Sequence, residues 1–223
     1  MKILLAGPVE GYLNLLFRDA KKEEAHWIVC AGDFGIWPDT QRMDRASKKY
    51  AATDFAKRYV GMDSSPINIP VLTVAGSHDD NRWLNQRQSA NNTEILNNVH
   101  WLSQGYRTVI GFDEPEGIRV TGIGRAYSEA TFNGERGKKS HRHYTRRDVE
   151  RACSSGPTDL LVLYEHLDSP GLRNVIYATR PKLIVTVSQV NRKVYDAVQD
   201  TPVVTLGRYD TKVVEWDNGQ FCV

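Results

Sequence analysis

Residues 27–35, Trp27-Ile28-Val29-Cys30-Ala31-Gly32-Asp33-Phe34-Gly35, carry the fold of this chain in miniature. A short apolar run bounded by glycine reads as a buried strand, and here it runs straight into a Gly-Asp turn. The pattern returns over residues 71–79, Val71-Leu72-Thr73-Val74-Ala75-Gly76-Ser77-His78-Asp79. Open α/β sheets build ligand sites where their strands end, so two such turns point to one shared site at a carboxyl edge.

Working outward, the strand Ile3 to Ala6 leads into a helix with Tyr12, Leu15, Leu16 and Ala20 expected on one face. A second helix is expected from the spacing of Ala52, Phe55, Ala56 and Tyr59, and the Ser-Ser-Pro and Ile-Pro punctuation from Ser64 to Pro70 resets the chain for the strand Val71 to Val74. This alternation predicts βαβ units and a largely parallel sheet. After Trp101 the texture changes to β runs, Thr108 to Phe112 and Ile118 to Gly122, around the acidic turn 113–117. A polar loop from Gly124 to Tyr144 precedes a helix that Thr145 caps, with Asp148 as the capping-box acid. Strands Asp159 to Tyr164 and Leu183 to Val187 follow, the first ending in Glu165-His166 and the second in Ser188-Gln189-Val190-Asn191. Strand-like pieces Val194 to Ala197, Pro202 to Leu206 and Val213 to Trp216 close the chain, and no repeat or linker divides it. A single domain over residues 1–223 is expected.

Composition narrows the function classes. The 223 residues, 40% hydrophobic and 25% charged, suffice for one full core, and a net charge of +2 identifies no nucleic-acid partner. Cys30, Cys153 and Cys222 lack CxxC or Cys/His zinc spacing, and Cys30 reads as a small core residue. No apolar run approaches the roughly 18 residues of a membrane span. A cytoplasmic protein without a membrane partner is the expectation.

The order of the strand-end turns resembles the five-block signature of the calcineurin-like metallophosphoesterases over nearly the whole chain. Its blocks are Gly7-Pro8-Val9-Glu10-Gly11, Gly32-Asp33, Gly76-Ser77-His78-Asp79, Glu165-His166 and Ser188-Gln189-Val190-Asn191. The runs Gly32 to Pro38 and Tyr144 to Glu150 are similar to small bacterial or phage members, and the first block to the lariat-debranching and debranching-cofactor branch. The resemblance implies an α/β fold, a four-layer α/β/β/α sandwich, and a two-metal phosphoesterase centre. It places a metal-bridging ligand at Asp33, a further ligand at His166, and a group acting on the phosphate or leaving oxygen at His78.

The chain also departs from that signature. Pro8 stands where the family has Asp, Glu10 where it has His, Ser77 where it has Asn, and the imidazoles of the last block are replaced by Gln189 and Asn191. Amide and hydroxyl groups are poor neutral donors for Zn, Mn or Fe. A site with one divalent cation (Mn, Zn, Fe or Mg), or with none, is therefore expected in place of the dinuclear centre that lowers the pKa of a bridging water. Asp33 and His166 are the retained ligands, with Glu10, Ser77, Gln189 and Asn191 as weaker donors. Each has a plainer reading: Asp33 as an Asx-turn residue, His78 as the start of a helix, His166 as a loop histidine, Glu10 at the head of a helix.

A second feature is the basic stretch Arg136 to Arg147, in which six of twelve residues are Arg or Lys. Lys138, Lys139, Arg142 and Arg146, with Tyr144, His141 and His143 beside them, suit a polyanionic partner, and the same composition suits a solvated loop. Arg82 and Arg125 follow strand-end blocks and are further candidates for phosphate contacts. Two functions compete. One is a divergent phosphoesterase that binds, and slowly hydrolyses, a nucleotide or nucleic-acid phosphoester at a reduced metal centre. The other is a catalytically inactive descendant that serves as a binding, cofactor or assembly protein.

Overall fold

The computed structural model describes residues 1–50, 68–89, 93–111, 117–188 and 194–223. The helix expected around Ala52 to Tyr59, most of the acidic turn, and Gln189 and Asn191 lie outside these residues.

One mixed sheet is built from β1 (Lys2–Ala6), β2 (Trp27–Cys30), β3 (Val71–Val74), β4 (Glu94–Leu96) and β5 (Val99–Leu102). The other contains β6 (Arg107–Ile110), β7 (Ile118–Ile123), β8 (Leu160–Leu163), β9 (Leu183–Val187), β10 (Ala197–Val198) and β11 (Thr201–Leu206). The chain then returns to the first sheet with β12 (Thr211–Asp217) and β13 (Gln220–Cys222). The strand orders are β13-β12-β1-β2-β3-β5-β4 and β10-β11-β9-β8-β7-β6. In the first sheet β1, β2, β3 and β5 run parallel, and in the second β7, β8, β9 and β11 do. These are the strands whose carboxyl ends deliver the turns read from sequence.

Side-chain alternation explains the layering. Ile3, Leu5, Val29, Leu72 and Val74 face Val120, Leu160, Val162, Leu183 and Val185 between the sheets. Their neighbours Leu4, Ala6, Ile28 and Cys30 point the other way, onto α1 (Leu13–Lys22) and Leu84. On the far side Leu161, Leu163 and Ile184 meet residues of two further helices, introduced below. Strands buried on both faces read as continuous apolar runs, which is why they stood out in the sequence. The fold is an α/β sandwich of two mixed sheets flanked by helices. Each fully buried Leu, Ile or Val side chain contributes about 1.5–3 kcal/mol of transfer free energy.

Among the described residues the remaining helices are α2 (Arg45–Tyr50), α3 (Asn81–Ser89), α4 (Glu129–Phe132), α5 (Arg146–Cys153) and α6 (Leu172–Thr179), with 3-10 turns at Thr40–Arg42 and Ser140–Arg142. Thr145 and Asp148 form the reciprocal capping box at the head of α5. The buried face of α1 is Leu13, Leu16 and Ala20, whereas Tyr12 and Leu15 are each 42% exposed. Tyr12 precedes the helix and packs edge-on against Tyr209, so its apolar character belongs to that contact and not to the helix stripe. The β4–β5 hairpin was missed in the sequence. Its signal is Asn97-Asn98, with Asn98 at φ 63°, a conformation that asparagine tolerates in tight hairpin turns.

Candidate functional site

The two glycine turns meet. Gly32 and Asp33 both take positive φ, which swings the Asp33 carboxylate beneath the backbone of Gly76. A Cβ at Gly76 would collide with Asp33, and one at Gly32 with the Tyr164 ring, so close approach demands glycine at both places. Asp33 Oδ1 accepts the His78 N–H at 2.7 Å, and Oδ2 accepts the Tyr164 hydroxyl at 2.6 Å. The Ser77 hydroxyl lies 3.0 Å from the Tyr164 oxygen and donates to it, since the phenol's own hydrogen is committed to Asp33. Burial, then the Asp33 charge, pushes the Tyr164 phenol far above its ordinary range, so it remains a donor. Burial raises Asp33 as well, against the opposing pull of these bonds.

Asp79 clamps the two turns. Its Oδ1 accepts the Gly35 and Ile36 N–H groups, each at 2.9 Å, and its Oδ2 accepts the Gly76 N–H at 2.8 Å. Burial and the adjacent Asp33 charge push Asp79 upward, while the three amides favour its ionised form.

Of the residues expected to hold a metal, Asp33, Glu10 and His166 are committed to other partners, and Gln189 and Asn191 lie outside the described residues. Both Asp33 oxygens are engaged. Glu10 sends its carboxylate to Arg208, and only its backbone N–H reaches Asp33, donating to the Asp33 carbonyl at 2.7 Å. His166 is buried, its Nδ1 accepts the Asp168 N–H at 3.2 Å, and its ring lies 5.9 Å from Tyr195. Among the described residues no group of three or more His, Cys, Asp or Glu side chains is disposed to hold a metal ion. The donor set around Asp33, with a phenol and a serine as its nearest side chains, does not fit a two-metal centre.

His78 faces outward from this closed centre. Its Nδ1 lies 3.4 Å from Asp44 Oδ2, and the same oxygen takes Arg142 Nη1. Asp44 also caps α2 by accepting the Ser47 N–H at 2.7 Å. Burial alone would raise the Asp44 carboxyl, but the bonds from Ser47 and the Arg142 guanidinium outweigh it and hold the group down at about 2. Through Asp44, His78 adjoins a basic pocket.

That pocket, of about 380 Å³, is walled by Arg42, Arg82, Lys138, Lys139 and Arg142, with His141 between them. Its acidic side is the start of α3, where Asp80 pairs with Arg42 at 3.0 Å and caps the Trp83 N–H at 3.2 Å. Arg82 reaches the Lys138 carbonyl at 3.4 Å, tying the helix to the basic loop. Burial first, then the positive charges of Arg82 and Arg142, pushes His141 down to about 4. Behind this wall Arg125 is 6% exposed, with Nε on Asn81 Oδ1 at 2.8 Å and Nη2 on Asn85 Oδ1 at 2.6 Å. No carboxylate among the described residues pairs with it, and burial lowers its pKa to about 10.

The structure thus groups Asp33, Ser77 and His78 at one edge, and Arg82, Lys138, Lys139 and Arg142 around the pocket beside it. Arg146 lies instead over the Phe132 ring at 5.4 Å. Tyr144, expected to stack on a ligand, is fully buried and donates to the Pro170 carbonyl at 3.0 Å, because its ring fills the space beside Tyr127 and Phe132. Sequence reasoning missed Tyr164, Arg42 and Asp44. Of these only Asp44 left a signal, an Asp three residues before Ser47 at a helix start.

No family model and no curated protein matches the chain. Among solved structures, the protein TT1561 of Thermus thermophilus is 15% identical, with a TM-score of 0.53 over 93% of this chain and 89% of its own. Another solved structure, also 15% identical, reaches a TM-score of 0.58 over 95% of this chain and 97% of its own. At that identity the likeness bears on the fold alone.

Proposed function

We propose that the protein binds a phosphate-bearing ligand, a nucleotide or nucleic-acid phosphate, in the basic pocket, as a non-hydrolytic relative of the metallophosphoesterases. The observation that carries this reading is the convergence of Arg42, Arg82, Lys138, Lys139 and Arg142, from separate segments of the chain, on one concave site. Guanidinium forks and lysine ammonium groups are the usual side-chain recognisers of phosphate oxygens. The site also sits at the carboxyl edge of the parallel strands, where open sheets hold their ligands. Calorimetric titration with inorganic phosphate, comparing the wild type with Lys138→Ala/Lys139→Ala, tests the reading. Saturable binding weakened about tenfold in the variant supports it, and heats indistinguishable from buffer mixing with orthophosphate, tripolyphosphate, adenosine triphosphate and a short oligothymidylate alike defeat it.

A second reading, slow hydrolysis, is favoured by one contact: His78 lies 3.4 Å from Asp44, which also holds the pocket residue Arg142, and a histidine so oriented could act as an acid toward a leaving oxygen. It requires Asp33 to exchange Tyr164 and the His78 amide for a divalent cation. Turnover of bis-p-nitrophenyl phosphate with added Mn, abolished in Asp33→Asn and His78→Ala, would establish it, and the absence of turnover with any of Mn, Zn, Fe and Mg would remove it.

A further inference from the structure

We infer that the pocket takes a condensed phosphate, a di- or triphosphate chain such as a nucleoside polyphosphate carries, in preference to the internal phosphodiesters of a nucleic acid. The inference rests on the reading of this pocket as a phosphate site.

The charges of the wall divide into two sets. Arg42 is matched by Asp80, and Arg142 by Asp44. Asp79, the remaining lining carboxylate, directs both oxygens to backbone amides. That leaves Arg82, Lys138 and Lys139 with no carboxylate partner among the described residues. Arg125 adds a further guanidinium immediately behind Asn81, held by the Asn81 and Asn85 amide oxygens. Such a concentration of unmatched positive charge in about 380 Å³ calls for an anion with several charges in one short chain. A nucleic-acid strand presents one charge per nucleotide and is followed along a groove for about 4–16 nucleotides, whereas this site is a pocket of ligand size.

Two buried atoms of wall residues bear on which ligand groups the pocket could satisfy. Arg142 Nε and Asp80 Oδ2 are buried and have no hydrogen-bond partner among the described residues. A buried polar atom left unpaired costs about 1–3 kcal/mol, and a ligand atom that reached either one would relieve that cost. The Nε–H is a charge-assisted donor suited to a phosphate oxygen. The Asp80 oxygen needs a donor, which a phosphate dianion lacks and a hydroxyl or amine of a nucleoside supplies.

The full chain is titrated by calorimetry with tripolyphosphate, orthophosphate, adenosine triphosphate and a short oligothymidylate at one fixed ionic strength. Tripolyphosphate is expected to bind at least about tenfold more tightly than orthophosphate or the oligonucleotide, and Arg82→Ala and Lys138→Ala/Lys139→Ala each to lose about tenfold for it. Lys21→Ala, at an exposed position of α1, serves as the charge-matched control for Arg82→Ala and should bind like the wild type. Adenosine triphosphate binding as well as, or better than, tripolyphosphate is the expected order, with the second assigning a nucleoside donor to Asp80. Orthophosphate or the oligonucleotide binding as tightly as tripolyphosphate overturns the inference and leaves the phosphate reading standing. Binding of none of the four defeats both.

Discussion

Tyr164 and Asp33 are joined by a hydrogen bond of 2.6 Å in which the phenol at the end of β8 donates to a carboxylate from the turn after β2. The bond crosses from one sheet to the other. It completes the Asp33 carboxylate, whose other oxygen already holds the His78 amide, with protein donors. A charge in such surroundings persists only when it is paired or hydrogen-bonded.

Tyr164→Phe removes that donor and leaves Asp33 Oδ2 with nothing in its place. The variant should lose about 1–3 kcal/mol of unfolding free energy, read as a lower midpoint in urea at unchanged slope. Its far-ultraviolet dichroism should stay native, because the ring itself is kept. Stability equal to the wild type would show that the phenol contributes nothing to the turn.

The approach of the two turns gives a second expectation. Gly76→Ala drives a methyl group into Asp33, at a point where backbone and carboxylate both lie in its path, so neither side can yield cheaply. The variant should be destabilised by more than about 2 kcal/mol or accumulate as insoluble protein. Gly137→Ala is the control, since a Cβ there meets only Ser140 Oγ at 3.8 Å. Thermal melts of the pair decide the matter, and equal midpoints would refute the close approach.

The buried strands were legible in the sequence because β1, β2, β3, β8 and β9 are apolar on both faces, and Gly7, Gly32 and Gly76 after the first three marked the site edge. The short hairpin β4–β5 was not, since Glu94 to Leu96 offers only three residues of pattern. At the site, the basic residues of the loop could be read as a cluster, but their meeting with Arg42 depends on how the turn after β2 folds back, which no local pattern encodes. Tyr164 was invisible for a different reason. As the end of an apolar run it looks like core, and only the tertiary contact reveals that its hydroxyl serves Asp33. Arg146 shows the converse, a basic residue in the right stretch whose position at the start of α5 turns it toward Phe132.

Acid stability follows from Asp159, which is buried ahead of β8 and bonded to Arg119 at 2.8 and 2.9 Å and to Lys182 at 2.9 Å. Burial would raise its carboxyl, but these partners outweigh it and hold it at about 2. A carboxyl depressed in the folded state stabilises above its unfolded value of about 3.9, and that contribution is lost as the pH falls through about 2. The raised Asp33 and Asp79 act with the opposite sign, favouring the fold at low pH and losing that contribution as the pH rises. Urea midpoints measured from pH 5 to pH 2 should therefore fall more steeply in the wild type than in Asp159→Asn. Parallel curves would mean that the Arg119 and Lys182 contacts carry no net linkage.

His141 lies among the cations of the pocket and is sensitive to their field. Burial and the charges of Arg82, Arg142 and Arg125 press its imidazole down to about 4, so it is neutral at pH 7 without a ligand. An anion placed among those cations cancels part of their field, which favours the protonated ring and moves its midpoint upward. By linkage, the complex must then take up protons over the interval between the free and bound midpoints. The measurement is the pH titration of the His141 ring Hε1 resonance, assigned by its loss in His141→Gln, with and without saturating tripolyphosphate. A midpoint near 4 that rises by about a unit or more on saturation is the expected result, and Arg82→Ala should raise the ligand-free midpoint while shrinking the shift. An unchanged His141 midpoint under demonstrated saturation would place the bound anion outside this pocket.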